Sequence, residues 1–121
     1  MYIYVASPYT HLDPDVMADR MLEAMRYTAY LIKKGEWAYS PIVHCHDMAL
    51  RYDFPKSHTF WMGFDAAMIC PCTEVHVLQL EGWEQSEGIR HELQFCSLIQ
   101  KPVRMAYWSK SLELYRLSDR L

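Results

Sequence analysis

The feature that most limits the fold is an alternation of short, charge-free apolar runs with longer stretches of helical period. The run "YIYVA" is β-branched and aromatic, the composition of a strand covered on both faces, and Ser7-Pro8 stops it. Asp13-Pro14-Asp15 then supplies an N-cap, a proline at the first helical position and an acid in the first turn. Met17, Met21, Leu22, Met25, Thr28 and Leu31 recur at spacings of three and four, and Lys33-Lys34-Gly35 brings last-turn cations and a C-cap glycine.

The punctuation continues along the chain. "WAYSP" reads as a second short strand halted at Pro41, and "IVHCHDMALRYDFPK" as an irregular stretch with one helical turn near Asp47–Arg51. Ser57 caps a helix carrying Phe60, Trp61, Phe64 and Met68, which ends around Cys70-Pro71. "EVHVLQL" is the third strand, the segment from Leu80 to Cys96 turns into the third main helix, and "PVRMAY" is the fourth strand. The tail "SLELYRLSDRL" offers Leu112, Tyr115 and Leu117 for packing or for a partner subunit.

Strands alternating with helices predict an α/β domain with a parallel sheet. The expected architecture is a single flavodoxin- or Rossmann-like three-layer sandwich over residues 1–121, with four to five strands. A chain of 121 residues buries roughly two-thirds of its unfolded surface, so it needs no second domain for a core. With 51% hydrophobic and 22% charged residues it is neither disordered nor fibrous. A net charge of −3 and no run of lysine and arginine argue against duplex nucleic acid as a partner. The start lacks a basic segment followed by a long apolar one, and no window approaches a membrane span, so the expectation is a soluble cytoplasmic protein. Cys45, Cys70, Cys72 and Cys96 lack the dense spacing of a disulfide framework and are expected reduced.

Open parallel sheets bind ligands at the carboxyl ends of their strands, near the point where strand order reverses. That rule selects "ASPYTH", "SPIVHCH" and "EGWEQSEG". In the last of these Gly82 lets the chain turn, Ser86 caps the helix, and Gly88 lets a ligand approach the free N–H groups of its first turn. Trp83, between acids, offers a planar surface for a base or sugar. Glu92 falls in the second turn and is expected at the cleft rim, kept ionised by the positive end of the helix. Asp65 follows Trp61 by one turn, and two carboxylates in one cleft would drive their pKa values apart.

Taken alone, Ser86 is as readily a plain cap, Glu92 a solvated helix residue and Asp65 a boundary aspartate. His44-Cys45-His46-Asp47 and Cys70-x-Cys72 raise a zinc site, but the one-residue spacing is not that of structural zinc pairs, and no metal or cofactor is expected. His44 then lines the pocket or satisfies a strand end, and Trp61 is a further candidate to contact the substrate. Gly-x-Gly-x-x-Gly, Walker A and Gly-x-Ser-x-Gly motifs are all absent.

"YVASPYTH" at Tyr4–His11, "SPIVH" at Ser40–His44, "WMGFDAAMI" at Trp61–Ile69 and "GWEQSEGIRHE" at Gly82–Glu92 together resemble the nucleoside 2-deoxyribosyltransferase-like superfamily, in particular a small branch of it found in bacteria and phages. The resemblance runs to about Val103. It implies that Glu92 attacks the anomeric carbon of a deoxyribosyl group while Asp65 contacts the sugar or assists proton transfer. N-glycosidic cleavage would then pass through a glycosyl-enzyme intermediate, with water or a second base as acceptor. Transferases of that superfamily acting on free nucleosides tend to carry an aspartate in the slot of Ser86, whereas its monophosphate hydrolases carry a serine there. Ser86 thus points to a nucleoside 5′-monophosphate, with Ser7 helping to hold the phosphate or sugar and Tyr9 contacting the sugar or base. The resemblance also implies a homodimer or higher homo-oligomer. The alternative is a non-catalytic nucleotide-binding or regulatory domain on the same fold.

Overall fold

A computed structural model describes residues 1–121. The strands are β1 (Ile3–Ala6), β2 (Ala38–Tyr39), β3 (Glu74–Leu78), β4 (Val103–Ser109) and β5 (Leu114–Leu117). The helices are α1 (Pro14–Lys33), α2 (Pro41–Arg51), α3 (His58–Ile69) and α4 (Glu87–Ile99). One sheet runs β2-β1-β3-β4-β5, with the first four strands parallel and β5 antiparallel to β4. The chain is thus an α/β sandwich of the flavodoxin-like kind.

Every residue of β1 and of β3 is buried, as their uninterrupted apolar runs require when both faces are covered. Alternation splits them between two cores. Tyr4, Ala6, Val75 and Val77 pack with Ile69 of α3 and with Ile89 and Cys96 of α4 on one face. Ile3, Val5, Leu78 and Ala106 pack with Tyr27 and Leu31 of α1 on the other. Strand order reverses between β1 and β3, so their carboxyl ends, leading to Ser7 and to Gly82, flank the switch point.

Four helices begin on side-chain caps. Asp13 accepts from the Asp15 amide (2.9 Å), Ser40 from Val43 (3.2 Å), Ser57 from Phe60 (3.4 Å) and Ser86 from Ile89 (3.2 Å).

Two expectations need correction. The stretch after Pro41 is an 11-residue helix rather than irregular chain, because Ser40-Pro41 is an N-cap with proline at the first helical position, not merely a strand stop. The strand before it is reduced to two residues, Ala38 and Tyr39. The tail becomes β5, where Tyr115 packs on Tyr27 with ring centroids 4.8 Å apart while Leu112 and Leu117 stay largely exposed.

The tail is fastened by charge as well. Arg120 donates to the buried Glu74 (2.8 Å), whose other oxygen accepts from His76 (2.8 Å) and lies 3.1 Å from Arg104. These hydrogen bonds to Arg120 and His76 outweigh the cost of burial and hold Glu74 below the ordinary glutamate range, while burial holds His76 below the ordinary histidine range. The result is a compensated ion cluster at the amino ends of the strands, away from the switch point.

Candidate active site

Glu92 stands in the second turn of α4, on the same stripe as Ile89 and Cys96, so folding α4 onto the sheet carries its carboxylate inward. It is 8% exposed, not on the rim. The Tyr4 hydroxyl, rising from β1, donates to it. Asp65 faces the same place from α3, with one carboxylate oxygen buried and without a hydrogen-bond partner. The three groups come from a strand and two helices that share one core, a more rigid mounting than loops provide.

Burial is the first cause of what these acids do. Glu92 is pushed up to about 8 by desolvation and then by the neighbouring Asp65 charge, with the Tyr4 hydroxyl opposing. Asp65 is pushed up to about 6 by desolvation, again with Tyr4 opposing. Near neutral pH the pair therefore tends to hold one proton between them, on the Glu92 side, and its titration belongs to the pair. The expectation that the helix dipole keeps Glu92 ionised is corrected, because a fraction of a charge at the helix start does not offset full desolvation beside a second carboxylate.

The remaining residues fall into two sets. Ser7 is buried at the end of β1 with an unpartnered hydroxyl, and the Tyr9 hydroxyl meets His46 Nδ1 at 2.5 Å. Ser86 caps α4, and the backbone at Gly88 is open, since an added Cβ would meet nothing closer than Ser86 Oγ at 3.8 Å. Ser7, Tyr9, Ser86 and Gly88 stand in the segments that follow the carboxyl ends of β1 and β3. Gly82 is required for another reason. Its φ is +87°, and a Cβ would lie 2.6 Å from Arg20 Nη2. Arg20 donates to the carbonyls of Thr10 (3.1 Å) and Glu81 (3.2 Å), stitching the loop after β1 to the loop after β3.

Other expected site residues are occupied elsewhere. Trp83 is half-buried against the α3–α4 core rather than standing free over a ligand. Trp61 donates its indole N–H to the Pro55 carbonyl (3.0 Å) and packs among Phe54, Phe60 and Phe64, anchoring the chain before α3. His44 is exposed on α2, its ring 5.7 Å from Tyr39, because the helix turns it away from the buried Cys45 and His46. That helix also splits the consecutive donors His44 to Asp47, and no three of the chain's His, Cys, Asp or Glu side chains gather in a metal-binding arrangement.

Tyr4 and Arg20 are the residues that sequence reasoning missed. For Tyr4 a signal existed, because tyrosines at 2 and 4 fall on one face of a strand otherwise filled by Ile, Val and Ala. Two cavities, of about 350 and 570 Å3, lie beside β2 and the amino ends of the strands, and neither is lined by Asp65 or Glu92. Geometry and protonation, rather than cavity size, mark the acid pair.

Fold and site define an α/β domain with a buried, unequal carboxyl pair beside its switch point. The chain belongs to a family described as a domain of unknown function (DUF1937), whose model matches residues 1–109 and so takes in β1 to β4 and every residue of the site. No curated protein matches the chain. No helix is long and apolar enough to cross a membrane.

Proposed function

We propose that this domain cleaves or transfers the N-glycosidic bond of a nucleoside or deoxynucleoside or its 5′-monophosphate, with Glu92 as nucleophile and Asp65 as its partner. The observation that carries the reading is the convergence of Tyr4, Asp65 and Glu92 in a desolvated place, with the two carboxyl groups pushed up unequally. In the reactive form the pair's one proton has moved to Asp65: the ionised Glu92 attacks the anomeric carbon as the C–N bond breaks, and Asp65 gives that proton to the leaving base. Water or a second base then releases the sugar from Glu92. Tyr4 holds the Glu92 carboxyl in position and lowers the cost of its ionisation. Ser86 and the free N–H groups of α4 favour a phosphate on the substrate, where a carboxylate at Ser86 would repel it.

Free base followed by chromatography across a panel of nucleosides, deoxynucleosides and their 5′-monophosphates tests this. Wild-type protein should release base and Glu92→Ala should not; no release from any member, or full turnover by the variant, contradicts it. The depth of Glu92 favours a second reading, a nucleotide-binding domain without turnover. Nucleotide-dependent elevation of Tm without base release would select that reading.

A further inference from the structure

The helix α1 covers one sheet face and touches α2, and it leaves a second apolar stripe that is bare from Leu22 onward. Its inward residues are Ala24, Tyr27, Thr28 and Leu31. On the opposite side Ala18, Leu22, Met25, Ala29 and Ile32 recur at spacings of four and three, a seven-residue repeat over almost the whole helix. Leu22, Met25 and Ile32 are 54%, 43% and 53% exposed, too much for side chains that support their own fold.

We propose that this stripe pairs antiparallel with the α1 of a second copy of the chain, about a two-fold axis near Met25. The stripe is close to palindromic in size. In antiparallel order Ala18 opposes Ile32 and Leu22 opposes Ala29, so each small side chain meets a large one, with Met25 against its own copy. Parallel order would set alanine on alanine and isoleucine on isoleucine, leaving gaps and clashes in turn. Charge selects the same order. Asp15 and Asp19 lie at the start of α1, and Lys33 and Lys34 at its end, all exposed. Antiparallel pairing brings the acidic end of each helix to the basic end of the other, and parallel pairing stacks like on like. Beyond the helix, Leu12 (102% exposed) precedes α1 and Trp37 (77%) follows it, so the same arrangement brings these bare apolar residues together. A standard interface takes about 800 Å2 from each partner, about a tenth of this chain's 7846 Å2, and a helix about 30 Å long with such flanks can supply it. The pairing is independent of the chemistry proposed for Glu92.

Sedimentation velocity on the full chain tests it. The wild-type protein should sediment at twice its 14.4 kDa at tens of micromolar. Leu22→Glu with Met25→Glu should weaken association by at least ~30-fold with unchanged circular dichroism, since both side chains are largely exposed. Lys33→Glu with Lys34→Glu should also weaken it, and adding Asp15→Lys with Asp19→Lys should restore it. A wild-type monomer, or a dimer that survives Leu22→Glu with Met25→Glu, overturns the proposal. Loss in the lysine variant without recovery in the fourfold exchange overturns the antiparallel order.

Discussion

Replacing Glu92 by glutamine tests the buried acid pair through stability alone, whatever the substrate. The amide keeps the shape and can still accept from Tyr4, but it cannot ionise. In the native protein the Glu92 carboxyl is displaced from 4.5 to about 8, whereas in the unfolded chain it titrates normally. The folded state therefore holds the proton more tightly, and stability falls as pH rises from about 4.5 to about 8. At about 1.4 kcal/mol per pH unit the full displacement is worth about 5 kcal/mol, a large part of the roughly 5–15 kcal/mol that holds a small domain together. Asp65 adds a loss of the same sign, complete by about pH 6. His76 and Glu74, both held below their ordinary values, act oppositely: their stabilisation is lost toward acid and is common to both proteins. Urea unfolding followed by circular dichroism between pH 5 and 9 isolates the Glu92 contribution as the difference between wild type and variant. That difference should be small at pH 5 and grow to several kcal/mol in favour of Glu92→Gln at pH 9. Parallel curves over the whole range would refute the reasoning, because they would mean that Glu92 ionises in the folded protein at no extra cost.

Three other perturbations follow from the geometry. Tyr4→Phe removes the hydroxyl that eases Glu92 ionisation, so the alkaline-rising limb of the activity profile should move to higher pH and turnover should fall ~10–100-fold, as a pH–rate profile would register. Ser86→Asp keeps an equally good helix cap, so Tm should hardly change, yet kcat/KM for monophosphates should fall relative to free nucleosides in the base-release assay. Gly82→Ala places a methyl group against the Arg20 guanidinium at a φ that alanine resists, and should cost about 1–2 kcal/mol in urea unfolding by loosening the two loops that Arg20 joins.

Much of the frame is legible in the sequence because local signals there agree. Asp13-Pro14 and Lys34-Gly35 bracket α1, and the charge-free runs of β1 and β3 announce strands buried on both faces. The helix α2 hides because Ser-Pro serves equally as a strand stop and as a helix start, and because "IVHCHDMALR" carries polar groups on several sides. β5 hides because a strand on the sheet edge, with three of its four residues exposed, lacks the apolar alternation of a half-buried one. The pairing of Asp65 with Glu92 was legible from chemistry and fold class. The depth of Glu92 was legible only in part, since Leu93 looks like the inward residue until packing centres the stripe on Ile89, Glu92 and Cys96. The Tyr4–Glu92 contact, between residues 88 apart in the chain, comes from tertiary packing that no local pattern encodes.

The most direct test of the central claim is the mass of the protein caught in the act. Acid-quenching wild-type protein during incubation with a deoxynucleoside or its monophosphate, then mapping peptides by mass spectrometry, should find the matching deoxyribosyl or deoxyribosyl phosphate group on the peptide containing Glu92 and nothing on Glu92→Gln. A sugar adduct on another residue, or free base released with no adduct at Glu92 under conditions where turnover is slowed, would contradict the account.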